Sequence, residues 1–159
     1  MHNLSLTIVS WFVGYPKLKG AYEYNRDKKY VAISLEQNQD LKTQPLFEIT
    51  IQIEVMDVEN KKYTGSATFT TSPRVVVIIP IGSSKPAIIR VDPEVKVLFS
   101  LELGSAGEEI LGNTAAKAGD VFNRVWAYRE LCKMGSYTAL KKVKVCKRRN
   151  KSLKHIFVA

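Results

Sequence analysis

The sequence predicts a mainly β protein: an antiparallel β-sandwich of about seven strands followed by the start of an α-helical array. Three observations carry this. Between residues 17 and 103, apolar side chains recur at every second position in short runs, the period of a strand with one face buried. Clusters of turn-forming residues separate those runs at roughly the 8–12-residue spacing of sandwiches. Beyond Gly104 the apolar period changes to every third or fourth residue, the period of a helix packed on one side.

Taken in order, residues 1–16 read as a connector, mildly apolar up to Trp11-Phe12-Val13 and then broken at Gly14-Tyr15-Pro16. Proline there removes a donor and pushes its predecessor into extended geometry. The stretch from Lys17 to Tyr24 alternates, with Leu18, Gly20, Tyr22 and Tyr24 on one side. Asn25-Arg26-Asp27 is turn chemistry, and Val31, Ile33 and Leu35 then face together, completing a hairpin. A polar loop over 38–45 leads to the clearest strand, where Phe47, Ile49, Ile51, Ile53 and Val55 oppose Glu48, Thr50, Gln52 and Glu54. Burying those five side chains contributes roughly 8–15 kcal/mol, against roughly 9–18 kcal/mol for fixing nine backbone residues. Such a strand needs neighbours and a second layer. After a turn at 57–61, Tyr63, Gly65, Ala67 and Phe69 alternate against threonine and serine, as expected of a strand with one exposed face. The run from Arg74 to Ile79 is apolar on both faces and reads as a central strand. Ala87 to Val91 makes a further strand. Asp92-Pro93 then turns a corner into a last alternation of Val95, Val97, Phe99, Leu101 and Leu103.

Ser105, with Glu108 three residues on, reads as a capping box opening a short helix that Gly112 ends. A longer helix is capped by Asp120 and closed at Met134-Gly135. Val121, Val125, Tyr128 and Cys132 define its stripe, which Phe122, Trp126 and Leu131 widen. Residues from Tyr137 to Cys146 are expected to begin another helix. The expected organisation is therefore a connector over 1–16, a sandwich domain over 17–103, a partial helical domain over 104–140 and a basic tail over 141–159. The helical face bearing Val121, Val125 and Trp126 is the expected contact for a catalytic domain or another protein, and a route to self-association.

The net charge of +9 suggests nucleic acid until it is located. Residues 1–131 hold 15 Lys+Arg and 15 Asp+Glu, whereas residues 132–159 hold 9 Lys+Arg and no acid. The basic end could serve as a nucleic-acid or nuclear-import patch, with steep salt dependence. No aromatics are interleaved over Lys141–Lys151, which Tyr137 and Phe157 only flank, so an unstructured or artefactual terminus is the preferred reading and nucleic acid is not an expected partner. With 45% hydrophobic residues the chain can bury a core. No apolar run reaches the ~20 residues of a membrane helix, and the N-terminus lacks the pattern of a secretory signal. A cytoplasmic address without membrane contact is the default expectation.

No catalytic, cofactor-binding or metal-binding residue is expected. Cys132 and Cys146 form neither a CxxC nor a disulfide framework, and read as reduced thiols. His2 and His155 lie at opposite ends, with no HExxH. There is no GxSxG elbow and no Walker loop. Gly104-Ser105-Ala106-Gly107 could receive an anion at a helix start, but Glu108-Glu109 oppose one, so a connector is the simpler reading.

These residues together resemble part of the zinc aminopeptidases of the aminopeptidase N type. Trp11…Gly14-Tyr15-Pro16-Lys17-Leu18 is similar to that family's W…G-x-P-x-L lead-in to a small sandwich. Tyr22-Glu23-Tyr24…Ile33-Ser34-Leu35-Glu36-Gln37-Asn38-Gln39 resembles its strand ending in Q-x-Q, and Pro45-Leu46-Phe47…Ile49 the strand that pairs with it. Lys85-Pro86…Arg90-Val91-Asp92-Pro93…Val97-Leu98 is similar to its K-P…D-P…v-L segment. Asp120-Val121…Arg124-Val125-Trp126-Ala127…Leu131 resembles its first long helix. The likeness covers roughly residues 11–132, with a shorter gap between Trp11 and Gly14 than the family usually has.

In that family a zinc-binding catalytic domain precedes the sandwich, and antiparallel helices follow it. The resemblance therefore implies a non-catalytic linker, with zinc and the removal of N-terminal residues from peptides belonging to a domain this chain lacks. No metal or catalytic residue carries over, and the chain alone is expected to be inactive. The change to acid-free sequence after Cys132 is expected to reflect a frameshifted or truncated reading frame, which sequencing the locus would test. The alternatives are an interaction scaffold resembling the aminopeptidase-like subunit of the general transcription factor TFIID, or weak nucleic-acid binding through the basic tail.

Overall fold

A computed structural model describes residues 14–82, 84–139, 141 and 142. Seven strands and two whole helices lie among them: β1 (Lys17–Asn25), β2 (Tyr30–Gln37), β3 (Ile49–Asp57), β4 (Lys62–Phe69), β5 (Arg74–Pro80), β6 (Pro86–Val91), β7 (Ser100–Gly104), α1 (Glu108–Lys117) and α2 (Val121–Met134); residues 137–139, 141 and 142 are helical too, where the sequence predicts another helix. The strands form two sheets, one ordered β5-β2-β1-β7 and the other β4-β3-β6. All neighbours are antiparallel except β1 and β7, which run parallel. The sandwich expected from the sequence is thus what the chain forms, with helices following it.

Period-two patterning fixes which side of each sheet is dry. Val31, Ile33 and Leu35 of β2 and Ile51, Ile53 and Val55 of β3 have no solvent exposure, and the two sets face one another across the core. Two glycines permit close approach. A Cβ on Gly20 would lie 2.3 Å from the Ser34 carbonyl of neighbouring β2. On Gly65 of β4 it would lie 2.8 Å from the Val77 side chain of β5, so the edges of the two sheets come together there.

Several expectations need correction. β5 is an edge strand and not a central one: Val77 and Ile79 point inward, but Val76 and Ile78 are 56% and 60% exposed. The alternation through Val95 and Val97 does not make a strand, because Asp92 and Val95 take left-handed φ values of 48° and 52°. There the chain wraps the buried Asp92, whose carboxylate accepts from the Val97 N–H at 2.8 Å, and pairing resumes only at Ser100. Ser105 is not a cap; its φ is 67°, and the cap of α1 is Gly107, without a side-chain hydrogen bond. Nor does Gly112 end α1, which continues to Lys117 with Gly112 buried.

The Gln37-x-Gln39 pair has a clear structural task. The Gln37 side chain donates to the Phe47 carbonyl at 2.7 Å and accepts from the Phe47 N–H at 3.0 Å. Gln39 donates to Gln37 Oε1 at 2.8 Å and to the Pro45 carbonyl at 3.1 Å. Phe47 therefore lies outside β3, held by side chains where the sequence suggests a longer strand.

Candidate functional site

Where the sandwich meets the helices, the buried polar side chains Glu54, Asp92, Thr114 and Asn123 gather. The cause is the open edge of β6. An antiparallel strand bonds its neighbour with alternate residues. Arg90 is paired with Glu54, and the Asp92 N–H donates to the Gln52 carbonyl at 2.7 Å. Ile89 and Val91 consequently turn their main-chain groups away from β3. Buried as they are, those groups need partners.

The helices supply them. Asn123 of α2 accepts from the Val91 N–H at 2.9 Å and donates to the Val91 carbonyl at 3.0 Å. Thr114 of α1 meets the N–H and the carbonyl of Ile89, each at 3.4 Å. Two side chains from two helices thus stand where the next strand would be. Both are fully buried.

An ionic clamp lies beside them. Arg90 Nη1 is 2.6 Å from Glu54 Oε1, and Arg90 Nε is 2.7 Å from Asp120 Oδ2. Its Nη2 donates to the Pro93 carbonyl at 3.2 Å. Asp120 also caps α2, its Oδ1 accepting from the Asn123 N–H at 2.7 Å and from the Asn123 side-chain amide at 2.9 Å. Burial is the largest single influence and disfavours the Arg90 charge, but the hydrogen bonds to Asp120 and Glu54 together with the attraction of their charges raise the guanidinium above its usual value. One arginine therefore ties β3, β6, the corner after β6 and the start of α2.

A smaller tie fixes the other end of the helical pair. The Glu108 carboxylate, in the first turn of α1, accepts from the hydroxyls of Ser136 and Thr138 beyond α2. Those bonds hold Glu108 below the usual carboxylate range. Gly135 closes α2 in the left-handed conformation, with φ of 63°.

The helical face expected from the sequence is placed differently. Trp126 is only 3% exposed, as part of the core. Val121 is 52% exposed, and Val125 is half-buried. The buried stripe of α2 follows Asn123, Ala127 and Leu131 with Trp126 and Tyr128, so Cys132 lies on the exposed side. Sequence reasoning missed Asn123 because a polar residue breaks an apolar stripe; its only signal was its place three residues after the Asp120 cap. The Gly104–Gly107 segment leads from the end of β7 into α1.

No group of three or more His, Cys, Asp or Glu is placed to hold a metal among the described residues. His2, His155, Cys146 and nearly all of the basic tail lie outside those residues, as does Trp11 of the lead-in motif. Among the described residues, no helix is long and apolar enough to cross a membrane.

With this junction described, comparison with solved structures is informative. The chain superposes on the crystal structure of Legionella pneumophila aminopeptidase A in complex with aspartic acid with a TM-score of 0.58. The likeness is one of fold. Identity is 12%, and the match spans 87% of this chain but only 17% of that one. No protein-family model matches the sequence, and no curated protein matches it.

Proposed function

We propose that this chain is a non-catalytic joint from an aminopeptidase-like protein, fixing a sandwich domain over 17–103 against the beginning of a helical domain over 104–140. The observation that carries this reading is the Arg90 clamp, which joins Glu54 of the sandwich to Asp120 at the head of α2. A flexible tether needs no part-buried ion pair, no strand edge completed by Asn123 and no second tie at Glu108. A joint that must hold an angle needs all three. In this reading, peptide substrate, zinc and the removal of N-terminal residues belong to a domain beyond this chain.

The reading is tested by spin-label distance measurement between Cys132 and a cysteine placed at the β1–β2 turn (Lys28→Cys), with Cys146→Ser removing the other thiol. A single narrow distance distribution is expected, and it should broaden on Arg90→Ala. A broad distribution in the parent protein overturns the joint. So does zinc-dependent release of an aminoacyl fluorophore by the purified chain.

A further inference from the structure

A helix side chain also reaches the edge of β7, where the Leu101 carbonyl accepts from Arg129 Nη2 of α2 at 2.8 Å. That bond stands in the way of a further strand, but beside it lies a trough of about 460 Å³ that can take side chains. Its walls are Tyr15, Leu98 and Phe99 on the sandwich side and Phe122, Val125 and Trp126 on α2. Leu98 is 79% exposed and Tyr15 44%, so the rim is apolar as well as the walls, and contiguous apolar surface marks a contact. Trp126 is buried, yet its indole N–H meets no acceptor among the described residues.

The sequence brings an apolar segment to the mouth of this trough. Trp11-Phe12-Val13 immediately precedes Gly14, and Tyr15 is itself a wall. Gly14 takes a φ of 88°, a left-handed turn that swings the chain before it off the line of β1. At most about 14 Å of extended chain separates Trp11 from Tyr15. So short a tether gives an effective concentration of order millimolar, which neither a second copy nor a free partner reaches in dilute solution.

We propose that the trough is the docking site of the chain's own Trp11-Phe12-Val13 segment, whose aromatic side chains pack against Leu98, Phe99, Phe122 and Val125. The match is one of chemistry: aromatic rings meet aromatic and aliphatic walls, and no charge has to be buried. A main-chain carbonyl of the segment is also the kind of acceptor that the Trp126 N–H lacks. The lead-in to β1 is then held by the sandwich and by α2 together. This contact does not rest on the joint reading, because it needs nothing beyond the chain itself; under that reading it makes the connector a third part that the joint holds.

The test uses the full chain labelled with 5-fluorotryptophan, since Trp11 and Trp126 are its two tryptophans. Trp11→Phe assigns the two fluorine resonances. A soluble gadolinium chelate should broaden the Trp11 resonance as little as that of buried Trp126. Leu98→Asp, at the exposed rim, should leave the protein folded by thermal melt and strip Trp11 of its protection, while Trp126 keeps its own. In the parent, with no substitution, nuclear Overhauser contacts should join the Trp11 ring to the methyls of Leu98 or Val125. The proposal is overturned by a Trp11 resonance that broadens in the parent like free fluorotryptophan, by absence of those contacts, or by protection that a folded Leu98→Asp protein retains. Protection lost on dilution, with a dimer in sedimentation, also overturns it, because a second copy then covers the trough.

Discussion

The side chain of Asn123 and the main chain of Val91 face each other as two strands would, with one bond in each direction at 2.9 and 3.0 Å. A primary amide is the smallest side-chain group that copies the donor and acceptor of a peptide unit, and Asn123 uses both. Through this pairing a helix residue becomes part of the sheet's hydrogen-bond ladder, and the last residue of β6 is kept from water.

Asn123→Ala should therefore be costly although it deletes few atoms. It leaves a buried donor and a buried acceptor unpaired, at an expected loss of about 2–4 kcal/mol. Thr114→Val, where both contacts are 3.4 Å long, should cost about 1 kcal/mol or less. Urea midpoints at constant m-value measure both.

Arg90→Lys should behave as a disruptive change. Lysine keeps the charge but cannot reach Glu54, Asp120 and the Pro93 carbonyl with a planar fork. Arg90→Ala leaves two carboxylates, each about a tenth exposed, without their shared cation. Because the site is part-buried and Glu54 keeps Lys62 at 3.5 Å, the expected cost is about 1–3 kcal/mol, below that of a fully buried pair. A double-mutant cycle between Arg90→Ala and Glu54→Ala should show coupling, and a null cycle would refute the clamp.

Acid should loosen the tie at Glu108. Its folded carboxyl is held low by Ser136 and Thr138, so its contribution is present above the unfolded value of about 4.3 and drains as the pH falls through the lower folded value. Between neutral pH and about pH 3, the gap in Tm between the parent and Glu108→Gln should shrink. A constant gap contradicts the assignment.

Val95→Gly should stabilise the protein. A β-branched residue at φ 52° is strained, and Val95 is 55% exposed, so little packing is lost. A gain of about 1 kcal/mol is expected from thermal or urea unfolding.

Val76→Thr combined with Ile78→Thr should leave stability within about 0.5 kcal/mol of the parent, since both positions are exposed on β5. The double variant should show less self-association by light scattering at high concentration.

Most of the sandwich was legible in the sequence because one-sided burial writes itself as alternation. Val31, Ile33, Leu35, Ile51, Ile53 and Val55 all point inward, as their spacing requires. What could not be read has three physical sources. Val76 and Ile78 are apolar residues on an outer face, so periodicity placed β5 in the centre. The alternation around Val95 is real, but the left-handed backbone at Asp92 and Val95 prevents a strand, and φ is not encoded in apolar spacing. The parallel pairing of β1 with β7 joins residues more than eighty positions apart, beyond any local pattern.

The junction was legible only in fragments. Arg90 and Asp120 stood in separate motifs, and nothing in their spacing tied them together. Asn123 was hidden by its polarity, and once it is placed the buried stripe of α2 turns away from Val121 and Cys132. Buried polar residues that complete another element's hydrogen bonds are invisible to patterning that counts apolar side chains.

Amide hydrogen exchange at Val91 tests the central claim most directly, because its N–H is bonded to Asn123 and to no strand. If the helices complete the sheet, the Val91 amide should exchange as slowly as those of Ile53 and Val55 in the parent protein, and fall to edge-strand rates in Asn123→Ala. Rapid exchange of Val91 in the parent, with β3 still protected, would mean that the helices come away from the sandwich and that the chain is not a joint.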